Sequence, residues 1–508
     1  MDPSDAPPEP PAPAPPAPVH ALRLAFSAAG LSALAAASAP ASTPAPRAKN
    51  TSETWYDTAA LTLLRHGYGL STGKTRRGHV QTLRRGAEME ICATAAIPSA
   101  LPDPAAFAPE WAEPLAALLA ETPLAPAFGI RTRSLTYRTG AVELRFETGC
   151  IQTATEKLPF HELVLSGPDT ELYQQALALA AANPLLLQPA TPAQRGIWAV
   201  GATRPAAVKA GPGLTEDISL DAAITRLTQS CLTQFTANWA AFGAGPATDA
   251  VHQMRVAMRR LRSVLGLFNR AFAAPEFEAL RAEARCIANV MGEARDWDVF
   301  TALLREGPLE ALPHEPGFAA ILTQCAAFRA TGYAAVRALL ADPATTRFLL
   351  SAELFLARHG WRNGLAVEDL ARLAGPARDF AAANLDRLHR KVRKRGRHLT
   401  HSGPHERHLT RIELKKLRYA AELFGGLFAR GKVRAYTSMA AQLQEELGLL
   451  NDLATAESLL ARLDGTTPDE TRAIGIVLGW CSHAARADAR PLAKRWKAFT
   501  QSRPFSAS

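Results

Sequence analysis

The sequence predicts an α+β chain of several domains, strand-rich before about residue 200 and all-helical after it. Three observations carry this. Short runs of alternating residues, broken by Gly and Pro, fill the first part. Ala/Leu/Arg-rich stretches with helical periodicity fill the second. Within the second, His252-Gln-Met-Arg255-Val-Ala-Met-Arg259-Arg260-Leu261-Arg262 returns as His408-Leu-Thr-Arg411-Ile-Glu-Leu-Lys415-Lys416-Leu417-Arg418, 156 residues later. The same offset carries Phe268 onto Phe424, Gly292 onto Gly448 and Asp296 onto Asp452, so the duplicated unit is larger than one helix.

The elements follow in order. Met1 to Pro18 is Pro/Ala-rich with Asp2, Asp5 and Glu9, which predicts a disordered, polyproline-like tail without the basic opening of a secretion signal. Residues 19–200 hold strand-like runs at Arg131–Tyr137, Ala141–Phe146 and Glu162–Leu165, then a helix at about Glu171 to Ala182. Residues 201–213 form a Gly/Pro/Ala linker, and 214–505 the helical domain.

The chain's 508 residues carry a net charge of +10. That balance favours an anionic partner: nucleic acid, a phosphate polymer or an acidic surface. Six scattered cysteines without a CxxC pair argue against a disulfide framework or a zinc site and favour reducing cytoplasm. No apolar run reaches eighteen residues, so no membrane helix is expected.

The repeated motif places its charges on one side of a helix. His252, Arg255, Arg259 and Arg262 fall within an arc of roughly 80°, opposite Met254, Met258, Leu261, Val264, Leu265 and Phe268. No acid occurs between Val251 and Ala274, so the stripe has no partner in its own helix. A solvated helix face is the plain alternative, but duplication in register favours a binding face. A third basic cluster, Arg387 to His398, includes Arg393, Lys394 and Arg397 and lies between the copies, where it would extend a groove. Of the aromatic residues near the motifs, Trp297 and Tyr419 are the candidates to reach a ligand. Their scarcity favours phosphate over base recognition. Metal ligation by His252 and His408 is not favoured, because the His405 beside His408 has no matching His in the first copy.

These motifs resemble the CHAD domain, the conserved-histidine α-helical domain. His252 to Arg262 follows its first signature, and Lys415 to Tyr419 with Glu422 its second. Met291, Gly292, Arg295, Asp296, Asp298 and Val299 follow its Leu-Gly-x-x-R-D-x-D-V element, echoed by Leu447 to Asp452. The resemblance implies two pseudo-symmetric four-helix bundles with a basic central surface. It further implies binding of inorganic polyphosphate, often at polyphosphate granules. The expected site is His252, Arg255, Arg259, Arg260, Arg262, Arg393, Lys394, Arg397, His408, Arg411, Lys415, Lys416 and Arg418.

The first part is similar to the CYTH fold, an antiparallel β-barrel or tunnel that acts on triphosphates. The similarity rests on Trp55 to Leu61, Thr82-Leu83-Arg84, Arg131 and Arg133, Glu143, Gly149, Glu162 and Arg195-Gly196. Where that family has Glu-x-Glu-x-Lys, this chain reads Val19-His20-Ala21-Leu22-Arg23, so both glutamates are missing. Leu70 to Lys74 lacks the expected arginines, and Val164 and Pro192 replace a Glu and a Lys. The expectation is a degenerate barrel without catalytic residues. An alternative is a triphosphatase needing Mg²⁺ or Mn²⁺, with Arg84, Arg131, Arg133, Glu143, Glu147 and Glu162 as its residual tunnel. A third reading is nucleic-acid binding. The polyphosphate reading itself needs no cofactor, metal or membrane.

Overall fold

The computed structural model describes residues 21–38, 47–203, 205–244, 248–399, 401–485 and 490–505. The tail to Pro18, together with Val19 and His20, lies outside the described residues, as do the side chains of Asn451 and Asp452.

Among the described residues, the first half forms one antiparallel sheet of nine strands. They are β1 (Ala21–Ala25), β2 (Lys49–Asp57), β3 (Tyr68–Thr75), β4 (Gly78–Arg85), β5 (Glu90–Ile97), β6 (Ala125–Thr139), β7 (Val142–Gln152), β8 (Lys157–Ser166) and β9 (Leu186–Leu187), in the order β5-β4-β3-β2-β6-β7-β8-β1-β9. Five helices are interspersed: α1 (Leu31–Ser38), α2 (Thr62–Arg65), α3 (Pro109–Leu119), α4 (Asp169–Ala182) and α5 (Pro192–Ala199).

The pleat decides which residues can act together. On β7, Val142, Leu144 and Phe146 point into a core shared with Leu163 and Leu165 of β8 and with Leu172 and Ala176 of α4. Glu143, Arg145 and Glu147 alternate with them and line a cavity on the other face. Gly149 is required where β6, β7 and β8 meet, since a Cβ there would meet the Arg131 carbonyl and the Phe160 ring. Asp57 is buried, and its carboxylate accepts the backbone N–H groups of Thr58, Leu63 and Leu64, capping α2.

The second half is helical: α6 (Leu220–Gly243), α7 (Thr248–Phe272), α8 (Pro275–Glu306), α9 (Pro308–Ala311), α10 (Gly317–Leu340), α11 (Pro343–Ala357), α12 (Val367–Ala374), α13 (Ala377–Arg395), α14 (Pro404–Phe424), α15 (Arg430–Leu460), α16 (Pro468–Ala485) and α17 (Arg490–Gln501). Shifted by the 156-residue offset, α6, α7, α8 and α10 fall on α13, α14, α15 and α16, so each copy contributes a four-helix unit.

The two copies do not keep separate cores. One core takes Met254, Leu261 and Phe268 of α7 with Leu414, Leu417 and Phe424 of α14, so both repeated motifs share it. The far ends of α8 and α15 meet α10 and α16 in a second core around Trp297, Phe300, Leu459 and Val477. Phe268 and Phe424 are fully buried, as their position on the apolar arc required.

The sheet is fastened to the helices through α4 and α11. Leu350 of α11 enters the sheet-side core, Thr346 Oγ1 accepts the Leu187 N–H at 2.8 Å, and Arg358 donates to Gln174. The stretch expected as a linker is also tied down. Val208 exchanges backbone hydrogen bonds with the Asn238 side chain, and the Ala210 carbonyl accepts from Arg260.

Candidate anion-binding groove

The basic stripes of α7 and α14 come together across the shared core because each apolar arc packs inward and each charged arc is left outside. Tyr419 marks the meeting point, with the guanidinium carbons of Arg259 and Arg418 each 5.6 Å from its ring centre. Beside it runs a groove of about 290 Å³ walled by α7, α8, α13 and α14. Its lining contains nine Arg and Lys, namely Arg259, Arg262, Arg270, Arg281, Arg387, Lys391, Arg411, Lys415 and Lys416, with His408. Glu413 is the one acid in the lining.

Burial, and after it the crowding of like charge, depresses the cationic forms around the groove. Arg262 is held below its ordinary value by burial, then by Arg285, Arg281 and Arg259. Burial and Arg270 do the same to Arg387. Burial, Arg295 and Arg255 lower His252, which favours its neutral form. Burial pushes the Glu413 carboxyl up, but hydrogen bonds from Lys416 and Lys391, at 2.8 and 3.1 Å, outweigh it and leave Glu413 below its ordinary range. Positive charge is thus concentrated in the groove.

The repeat also orders the residues behind the groove. The Arg255 guanidinium lies 3.8 Å from where a Cβ on Gly292 would stand, and Arg411 lies 3.8 Å from the same position on Gly448. Each glycine leaves the neighbouring long helix bare under an arginine of the motif.

Several expected site residues fall elsewhere. Arg260 is structural: its Nη1 donates to the Gln234 side chain at 2.6 Å and to the Ala210 carbonyl at 2.9 Å, fixing the linker to α6 and α7. Arg393, Lys394 and Arg397 are exposed at and beyond the end of α13 and do not line the groove; their cluster contributes Arg387 and Lys391 instead, one helical turn apart. Arg270 and Arg281 belong to the lining too, and no motif pointed to them. Of the two aromatic candidates, Tyr419 lines the groove, whereas Trp297 is fully buried and stacked on Phe328 at 4.5 Å. Asp298 also serves packing, accepting from Arg329 and Tyr333 of α10.

The sheet encloses a second cavity, of about 570 Å³, lined among others by Arg23, Lys49, Glu53, Arg84, Glu143, Arg145 and Glu147. Arg131 and Arg133 are not in it: on β6 they alternate with Ile130, Thr132 and Ser134, which line the cavity, so they face solvent on the other side. The carboxylates are held by arginines. Arg23 Nη1 donates to Glu147 at 3.0 Å and to Glu162 at 2.9 Å, Arg195 pairs with the buried Glu162, and Arg145 binds Glu147 at 2.7 Å. Arg84 donates to Ser71 and Glu53. Guanidinium groups thus stand where a divalent ion would need oxygen ligands, so the residues present do not fit one. Among the described residues no group of three or more His, Cys, Asp or Glu could hold a metal, and no helix is long and apolar enough to cross a membrane.

Comparison with known proteins gives the following likenesses. Two uncharacterised proteins from strains of Mycobacterium tuberculosis are each 30% identical over 262 residues, covering 48% of this chain and 47% of theirs. The chain therefore spans about half the length of the curated relatives it matches. The CHAD domain of the plant Ricinus communis is 29% identical with a TM-score of 0.49, covering 59% of this chain and 98% of that one. An adenylyl-cyclase-type protein of Hippeastrum, described as having a dominant triphosphatase activity, is 13% identical with a TM-score of 0.24, covering 36% of this chain and 97% of that one. The last likeness is too distant to say what the sheet does. Residues 226–461, which contain both basic stripes and the groove between them, match the model of the CHAD domain.

Proposed function

We propose that this protein binds inorganic polyphosphate in the groove between α7, α13 and α14, in the cytoplasm and at polyphosphate granules. The observation that carries the reading is a groove lined by nine Arg and Lys around a single Glu. Fixed cations on facing helices suit a flexible chain with one charge per unit. Tyr419 is the only aromatic side chain in the lining and is already stacked by Arg259 and Arg418, which leaves no platform for bases. Arg255, on the same charged arc behind the groove, is held below its ordinary value by burial and then by Arg259, and so adds to the positive field there. The sheet would then act as a scaffold, its carboxylates neutralised by arginine.

The test is fluorescence anisotropy with end-labelled long-chain polyphosphate, competed by duplex DNA at equal phosphate concentration. Polyphosphate should bind more tightly, and Arg259→Glu with Lys415→Glu should abolish binding while thermal unfolding stays cooperative. Equal affinity for duplex DNA, or no loss in the double variant, would overturn the reading. Phosphate release from tripolyphosphate, with Mg²⁺ or Mn²⁺ and well above background, would restore the triphosphatase alternative.

A further inference from the structure

The stripes are symmetric, but their surroundings are not. The offset pairs the groove residues Arg270, Arg281, Arg387 and Lys391 with Gly426, Thr437, Cys231 and Phe235, none of them charged. Cys231 and Phe235 are fully buried, so the equivalent face of α6 offers no charge.

Two further exchanges act in the same direction. Gly266 leaves room for Arg281, whose Nε lies 3.3 Å from the site of a Cβ and which holds Glu278 from its own helix at 2.8 Å, whereas the repeat mate of Gly266 is itself an acid, Glu422, which reaches back to Arg418 at 3.5 Å. Asp249 acts on His252 from one side, while its mate on the groove side is the exposed His405. Against this, Arg295, which acts on His252 and Arg255, is a cation on the other side whose mate is Asn451.

The linker supplies the physical cause. Lys416 lines the groove, but its mate Arg260 is spent on the linker carbonyl of Ala210, and nearby Asn238 holds Val208. The segment leaving the sheet thus lies beside the place where a second, symmetric groove would open.

We propose that the polyanion is bound one-sidedly: from the central Arg259 and Lys415 it continues over Arg270, Arg281, Arg387 and Lys391, and not along the pseudo-symmetric path past His252 and Arg418. This rests on the polyphosphate reading and adds to it a direction of travel. Half of the duplicated stripe then serves as electrostatic support, and half as contact surface.

The experiment compares Arg270→Gln/Arg387→Gln with Arg295→Gln in the full chain, using long-chain polyphosphate at about 0.1 M salt and thermal unfolding to confirm folding. A polyanion contact carrying a salt exponent near 0.7 is worth roughly fivefold at that salt, so the double variant should lose ~25-fold. Arg295→Gln should lose less than about twofold. An equal loss per charge on the two sides, or none in the double variant, would overturn one-sided binding. Failure of the unsubstituted chain to bind polyphosphate would instead overturn the underlying function.

Discussion

Neutralising the centre of the groove should change the salt dependence of binding as well as its strength. Arg259 and Lys415 are repeat mates, and both line the groove. Nine cations less one carboxylate leave eight positive charges in the lining. If between half and all of them contact phosphate, log affinity should fall against log salt with a slope of about −3 to −6. Between 50 and 200 mM salt this amounts to a loss on the order of 10² to 10³. Arg259→Gln with Lys415→Gln should flatten the slope by ~1.4 and weaken binding ~25-fold at 0.1 M salt. Arg393→Gln/Lys394→Gln/Arg397→Gln removes three charges but none from the lining, so its slope should change less than that of the double variant. Anisotropy titrations across a salt series read both quantities. A wild-type slope shallower than about −1, or a larger change in the triple variant, would refute the groove as the contact surface.

Three further outcomes follow from particular residues. Arg260→Ala should leave polyphosphate affinity within about twofold but cost ~1–3 kcal/mol of stability, because the Gln234 and Ala210 oxygens lose their donor; urea unfolding measures it, and a large affinity loss would return Arg260 to the site. His389, buried and bonded to Tyr436, has its pKa lowered to about 4 by burial and Arg393. The unfolded chain therefore takes up this proton first, and folding stability falls as pH drops from about 6.5 towards 4, by up to ~3 kcal/mol, a loss that His389→Gln should remove. His252 is likewise held below its ordinary value, so anion binding nearby should raise it and take up a proton. Affinity should then rise below pH 6.5 more steeply in the wild type than in His252→Gln, and identical pH profiles would exclude His252 from the electrostatics of the site.

Much of the helical half was legible in the sequence because duplication and helical period are local properties. The 156-residue offset identified the paired helices, and the charged and apolar arcs of α7 and α14 separated as the period required. The first half was legible in part. The runs around Arg131, Val142 and Glu162 are strands, but the motif placed Arg131 and Arg133 in a tunnel, and the pleat turns them outward. Arg23, read as the remnant of a lost motif, is the hub of the Glu147 and Glu162 ion pairs, which depends on β1 lying beside β8. Trp297 stands next to a conspicuous charged element, yet the stacking on Phe328 that buries it comes from a distant helix.

The sequence by itself determined the duplication, the basic arc and the loss of acidic residues at the start of the sheet, since these need only the order of residues and the pitch of a helix. Which cations share a groove was decided by tertiary structure. Arg270, Arg281, Arg387 and Lys391 reach it from three helices, and Arg260, a cation in register with Lys416, is turned to holding the linker. A one-dimensional repeat is symmetric, and the physical reason for the difference is that Asn238 and Arg260 of the first copy are taken up in holding the linker from the sheet.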